Sequence, residues 1–221
     1  MNLKQVPEPV WGTITRDFEA AMEDKIQEAP WQTDACIGHW HYDRSLLDDH
    51  RYHSPSLIIP MFVDIVSKNG NLLLNIPLPG HGEPDADELS FLNELTAWHA
   101  VNSEAIKGTR PWKIYGEGPS THAAKLKSYQ FAQLKYDHRD IRFTTKGEAL
   151  YAIVLGWPQD GKIMITSFAD QSGNYPGRIG RIELLGYKSR LKWTRGPAGL
   201  QIEVPGAAPG KHAYSFRILP A

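Results

Sequence analysis

Asp17 and Glu19 stand two positions apart in WGTITRDFE, and Asp34 follows in PWQTDACIGHWHYD. Carboxylates can share a reaction between them: one attacks an electrophilic carbon while the other protonates the departing oxygen. Glu19 is the candidate proton donor because it falls at the C-terminal end of a strand-like stretch. Asp17 and Asp34 are candidates for the second carboxylate. From spacing alone, Glu19 also reads as an exposed glutamate capping a helix over 18–24. Trp40 offers an indole face against which C–H surface can pack, or it is a core tryptophan at a strand end. His39, His41 and Tyr42 flank it and could donate hydrogen bonds to ligand hydroxyls, although a lone histidine beside a strand is more often structural. HWHYDRSLLDDHRYH is rich in histidine but meets no known metal-ligand spacing.

These residues need elements to hold them. WGTITRDFE and WQTDACIGHW read as strands. Leu57, Ile58, Met61, Phe62, Ile65 and Val66 recur at helical spacing after Ser54-Pro55, with Pro60 a candidate kink and Asn69-Gly70 a stop signal. Asp64 on this helix reads as a solvated or capping carboxylate, and the KNGN turn as structural. Leu72, Leu73, Leu74 and Ile76 form a nearly unbroken apolar run, as in a parallel strand covered on both faces. A second helix is expected with Asp85 or Asp87 as cap, Leu89, Leu92, Leu95 and Trp98 inward, and an end near Asn102-Ser103. GTRPWKIYGEGPSTHAAKLKS reads as a linker from its glycine, proline and small residues.

Beyond it the period changes to two. DIRFTTKGEALYAIVLGW reads as a hairpin turning at Lys146-Gly147, and GKIMITSF, GRIELLGY, RLKWTRG, LQIEVPG and HAYSFRIL follow between turn residues. The expected architecture is α/β plus all-β: a partial barrel of about three or four parallel strands over residues 1–112, then an antiparallel β-sandwich over 113–221.

The 221 residues carry 24 basic and 25 acidic side chains, giving no electrostatic reason to expect nucleic acid or an anionic membrane as partner. Cys36 is the only cysteine, which excludes an intrachain disulfide. No apolar run is long enough to span a bilayer. MNLKQVPEPVWG lacks a basic segment followed by an apolar one, which favours the cytoplasm.

PWQTDACIGHWHYD, VDIVSKNGNLLLNIPL, NSEAIKGTRPW and YGEGP with DIRFTTKGEALYAIVLGWP together resemble the C-terminal half of bacterial α-L-fucosidases of glycoside hydrolase family 29. The resemblance implies part of a (β/α)8-like catalytic barrel followed by a β-sandwich. It implies retaining hydrolysis of α-L-fucosides with no metal or organic cofactor. In the family a Glu-Arg-Gly motif lies eleven residues before the proline of Pro-Trp-Gln, and Glu19 has that spacing to Pro30; Ala20-Ala21 replace the arginine and glycine. The resemblance therefore assigns Glu19 as general acid/base and Trp40 as the aromatic residue packing on the sugar's apolar face. Asn2 and Lys4 lie where relatives carry a substrate-reaching Asn-x-Arg or Asn-x-Lys strand. The aspartate resembling Asp34 is not the family's nucleophile; that residue belongs to the barrel's first half, for which this chain has no matching sequence. An open half-barrel exposes unpaired edges and apolar surface, so a homo-oligomer or a complementary half-barrel chain is expected.

Overall fold

The computed structural model describes residues 2–3, 14–122 and 133–221. They divide into two compact units, one ending at Ala100 and including residues 133–134, the other covering 101–122 and 135–221.

The first unit is built on parallel strands β1 (Asn2–Leu3), β2 (Thr15–Glu19), β3 (Trp31–Cys36) and β4 (Gly70–Asn75), in that spatial order. Helices α1 (Arg44–Asp48) and α2 (Pro55–Ser67) join β3 to β4, and α3 (Ala86–Asn102) follows β4. The β2–β3 connection is an irregular loop, not a helix, while helices follow both β3 and β4. Side chains alternate across each strand. Phe18, Trp31, Ala35, Leu72 and Leu74 share one face and pack with Ile58, Met61, Ile65 and Phe91 from the helices. Asp17, Glu19, Gln32, Asp34, Leu73 and Asn75 fall on the other.

Helix α2 starts directly at Pro55, with Pro60 inside it, and is buried nearly all round. Asp64 is only 1% exposed and pairs with Lys68 at 2.6 Å, correcting the expectation of a solvated carboxylate. The i,i+4 spacing supplies the reason: Lys68 lies one turn on and reaches back, its ammonium also donating to the Glu23 carbonyl at 2.7 Å. The Lys68 carbonyl accepts the Trp31 indole N–H at 3.0 Å. Asn69 takes the left-handed backbone, φ 70°. At Gly70 an added Cβ would lie 2.6 Å from the Trp31 ring, so close packing requires glycine there.

Asp85 is the cap of α3. Its carboxylate accepts the Asp87 and Glu88 N–H groups at 3.0 and 2.9 Å, while Glu88 accepts the Asp85 N–H at 2.9 Å, a reciprocal capping box. Turning Glu88 inward sets the phase of the helix. Phe91 and Trp98 are buried and Leu89 is exposed, against the expected inward placement of Leu89.

The second unit contains two antiparallel sheets. One has the order β5-β6-β7-β12-β9, from β5 (Arg110–Glu117), β6 (Ile141–Lys146), β7 (Ala149–Val154), β9 (Ile179–Leu184) and β12 (Tyr214–Pro220). The other has the order β10-β11-β8, from β8 (Lys162–Ile165), β10 (Lys192–Gly196) and β11 (Gly199–Glu203). Phe143, Ala152, Ile182 and Phe216 of one sheet and Ile163, Ile165, Leu200 and Ile202 of the other enter a single core. The β6–β7 hairpin turns at Gly147, φ 57°, with Lys146 opposite Ala149. The expected linker is corrected over its described part: β5 is an edge strand whose Trp112 and Ile114 pack on this core. Pro111 and Gly116 disguise it, since an edge tolerates proline, and its register shifts between those two residues. Residues 123–128 of that segment lie outside the described residues.

Candidate active site

Parallel pairing brings the C-terminal ends of β2, β3 and β4 to one rim. Glu19 closes β2, exposed and in register with Asp34. Neighbouring strands are about 4.8 Å apart, and both side chains project from the sheet face opposite the helices. The next residue, Ala20, is forced to φ 44°, and its N–H donates to the Asp34 carbonyl at 2.7 Å. The chain thus turns away sharply just after Glu19 and leaves that side chain at the rim. Asp17, two residues earlier on the same face, is buried and accepts a hydrogen bond from Gln32 Nε2 at 3.1 Å. Asp34 is also buried.

The loop after β3 supplies Trp40, 39% exposed, whose indole N–H donates to Glu19 Oε1 at 3.3 Å. Asn75, ending β4, holds that loop: its Nδ2 donates to the His39 and Trp40 carbonyls at 3.4 and 3.3 Å. Beside Trp40 lies a cavity of about 740 Å³ bounded by Gly38, His39, Leu46, Arg51 and His53.

The other sequence candidates diverge. His39 turns to Asp43, Nδ1 to Oδ2 3.1 Å. Asp43 caps α1 by accepting the Ser45 hydroxyl and N–H, and these bonds hold its carboxyl below the usual range. Desolvation and the Asp85 charge push the Tyr42 phenol up. His41 is exposed. Asn2 lies in β1, and Lys4 lies outside the described residues. His50 binds Asp87 at 2.7 Å, and among the described residues no group of three or more His, Cys, Asp or Glu could hold a metal. No described helix is long and apolar enough to cross a membrane. Sequence reasoning missed Asn75, Arg51 and His53. Asn75 is legible as the one polar residue interrupting the apolar run from Leu72 to Ile76; Arg51 and His53 depend on how the α1–α2 connection folds back.

A family profile described as Alpha-L-fucosidase matches residues 6–104, and one described as Alpha-L-fucosidase C-terminal domain matches 133–219. The chain is 31% identical over 191 residues to tissue alpha-L-fucosidase of Homo sapiens, covering 81% of this chain and 34% of that protein. It is 25% identical to the alpha-L-fucosidase of Dictyostelium discoideum, covering 94% and 44%. Among solved structures, the Thermotoga maritima alpha-fucosidase in complex with a mechanism-based inhibitor aligns with TM-score 0.71 and 24% identity, over 99% of this chain and 44% of that one. Alpha-L-fucosidase isoenzyme 1 from Paenibacillus thiaminolyticus aligns with TM-score 0.69 and 22% identity, over 94% and 45%. The chain spans about a third of the length of its human relative. Two consecutive alpha-L-fucosidase profiles, over residues 6–104 and 133–219, thus make this chain similar to α-L-fucosidases along most of its length.

Proposed function

We propose that this chain supplies the acid/base portion of a retaining α-L-fucosidase that releases terminal L-fucose, and that it corresponds to the C-terminal half of a bacterial-type enzyme with a half-barrel catalytic part. One observation carries the reading: Glu19 stands at the C-terminal end of a parallel strand, where barrel enzymes place their catalytic groups, with Trp40 bonded to its carboxylate. In this reading Glu19 protonates the departing glycosidic oxygen and later deprotonates the attacking water. Trp40 packs against the apolar face of fucose, and His39, His41 and Tyr42 line the sugar's approach. A retaining enzyme needs its second carboxylate about 5–5.5 Å from the first. Asp34, in register with Glu19 on the neighbouring strand, is the candidate for that role among the described residues, and Asp17, two residues before Glu19 on the same face, is the other.

Leu73 favours a second reading alongside the first. It projects from the carboxylate-bearing sheet face and is 53% exposed, although its strand reads as buried on both sides. That face fits a complementary first half, in a longer polypeptide or a separate chain, or a second copy, any of which would bring the nucleophile. Hydrolysis of a chromogenic α-L-fucoside separates the two. If the chain is self-sufficient, it turns over alone and Glu19→Gln lowers the rate by about 10²–10⁴. If it needs a partner, turnover either appears only on adding an N-terminal fucosidase half or, where a second copy serves, falls away as dilution separates the copies, and in both cases it remains sensitive to Glu19→Gln. Turnover unaffected by Glu19→Gln defeats both.

A further inference from the structure

The sandwich unit holds a second cavity of about 740 Å³. It opens between β9 and β10, which are the edge strands of the two sheets. Its floor consists of Ile182, Leu184 and Trp193. Trp193 pairs in register with Ile202, whose side chain lies in the core, so the indole points between the sheets; it is only partly buried. Tyr187 forms one wall. It is set by a tight turn in which its N–H donates to the Leu184 carbonyl at 3.0 Å and Gly186 takes φ 80°. The rim is cationic: Arg181, Lys188 and Arg190 are all exposed. Glu183 is the one acidic lining residue, and its carboxylate is shared between Arg181 and Arg217. This local positive excess stands out in a chain with formal net charge −1.

Partly exposed aromatic side chains below a ring of flexible cations suit a ligand with C–H faces and an anionic substituent. We propose that this cleft is a second carbohydrate site, binding an acidic oligosaccharide with a sugar ring against Trp193 and Tyr187 and a carboxylate or sulfate at Lys188 and Arg190. The anionic group comes either from a uronic acid or from a sulfate ester. Both present oxygens that Arg and Lys recognise. The site is independent of Glu19 and involves no bond making.

Calorimetric and NMR titrations of the full chain test it with a galacturonic acid trisaccharide, a heparin tetrasaccharide, neutral maltotetraose and inorganic sulfate alone. Binding of at least one acidic saccharide is expected, the tighter one identifying the source of the charge, with maltotetraose at least 10-fold weaker. Lys188→Ala/Arg190→Ala, two surface changes, should weaken binding at least 10-fold, and the Trp193 indole resonance should shift in the wild type. Trp193→Phe keeps the core filled and should weaken saccharide binding while leaving the far-UV spectrum unchanged. No binding by either acidic saccharide, equal binding by the double variant, an unmoved Trp193 resonance, or inorganic sulfate displacing the saccharide at equal concentration would each overturn the assignment.

Discussion

The two units bury their sheets differently. In the sandwich, the inner face of each sheet meets the inner face of the other, and Phe143, Ile165, Ile202 and Phe216 are completely inaccessible. In the parallel unit, one face lies under α2 and α3 while the other carries Asp17, Glu19, Asp34 and the exposed Leu73. A sheet closed on both sides specifies a fold; a sheet whose second face leaves Glu19 and Leu73 exposed at the rim, beside the buried Asp17 and Asp34, has room there for a substrate or another polypeptide. The contrast sets a closed core in one unit against the proposed site in the other.

The largest effect should come from setting the two kinds of apolar residue against each other. Phe216→Ala opens a cavity in a closed core and should lower unfolding free energy by about 3–5 kcal/mol. Leu73→Ala in the chain alone should change it by less than about 0.5 kcal/mol. Denaturant titration measures both, and a large loss at Leu73 would mean that its face is already covered in solution. Next, Lys68→Met removes a cationic partner of the buried Asp64 carboxylate while keeping volume, and should destabilise the parallel unit by about 3 kcal/mol. Near-neutral unfolding energetics would show that Asp64 finds water.

The smallest effect is pH-dependent. Burial pushes the His53 imidazole below its ordinary 6.5, so the folded chain refuses a proton that the unfolded chain accepts. His53 therefore favours the fold above about pH 6.5, and this contribution is lost as pH falls from there toward its depressed folded value. His50 has the opposite sign: Asp87 raises it, so its contribution is present below about pH 6.5 and fades as pH rises through the raised folded value. His53→Gln should flatten the acid-side loss of stability that sets in as pH falls below about 6.5. An NMR midpoint for His53 at or above 6.5 would remove the effect.

Much of this architecture is legible in the sequence because local signals agree with the tertiary outcome. The five later strands of the sandwich announce themselves by period two between turn residues. The β6–β7 hairpin is marked by its glycine, and α2 by Ser54-Pro55 and Asn69. Signals fail where a tertiary partner decides. The register of Asp64 with Lys68 becomes visible only once α2 is known to be buried on nearly every side. The phase of α3 depends on Glu88 bending back to Asp85. Strand β5 hides behind a proline that only an edge would accept. At the candidate site, Glu19 and Trp40 are singled out by the family resemblance, but their hydrogen bond is not legible in the sequence, because it depends on Asn75 gripping a loop 35 residues earlier.

Ala20 adds a practical consequence. A left-handed alanine is disfavoured by about 1–2 kcal/mol, so the residue after Glu19 stays in place only while its surroundings hold it. Its amide hydrogen, given to Asp34, should therefore exchange with deuterium as a local event well before the sandwich opens. Slowing of that single exchange rate would register anything that settles over the carboxylate rim, substrate or protein, without requiring turnover.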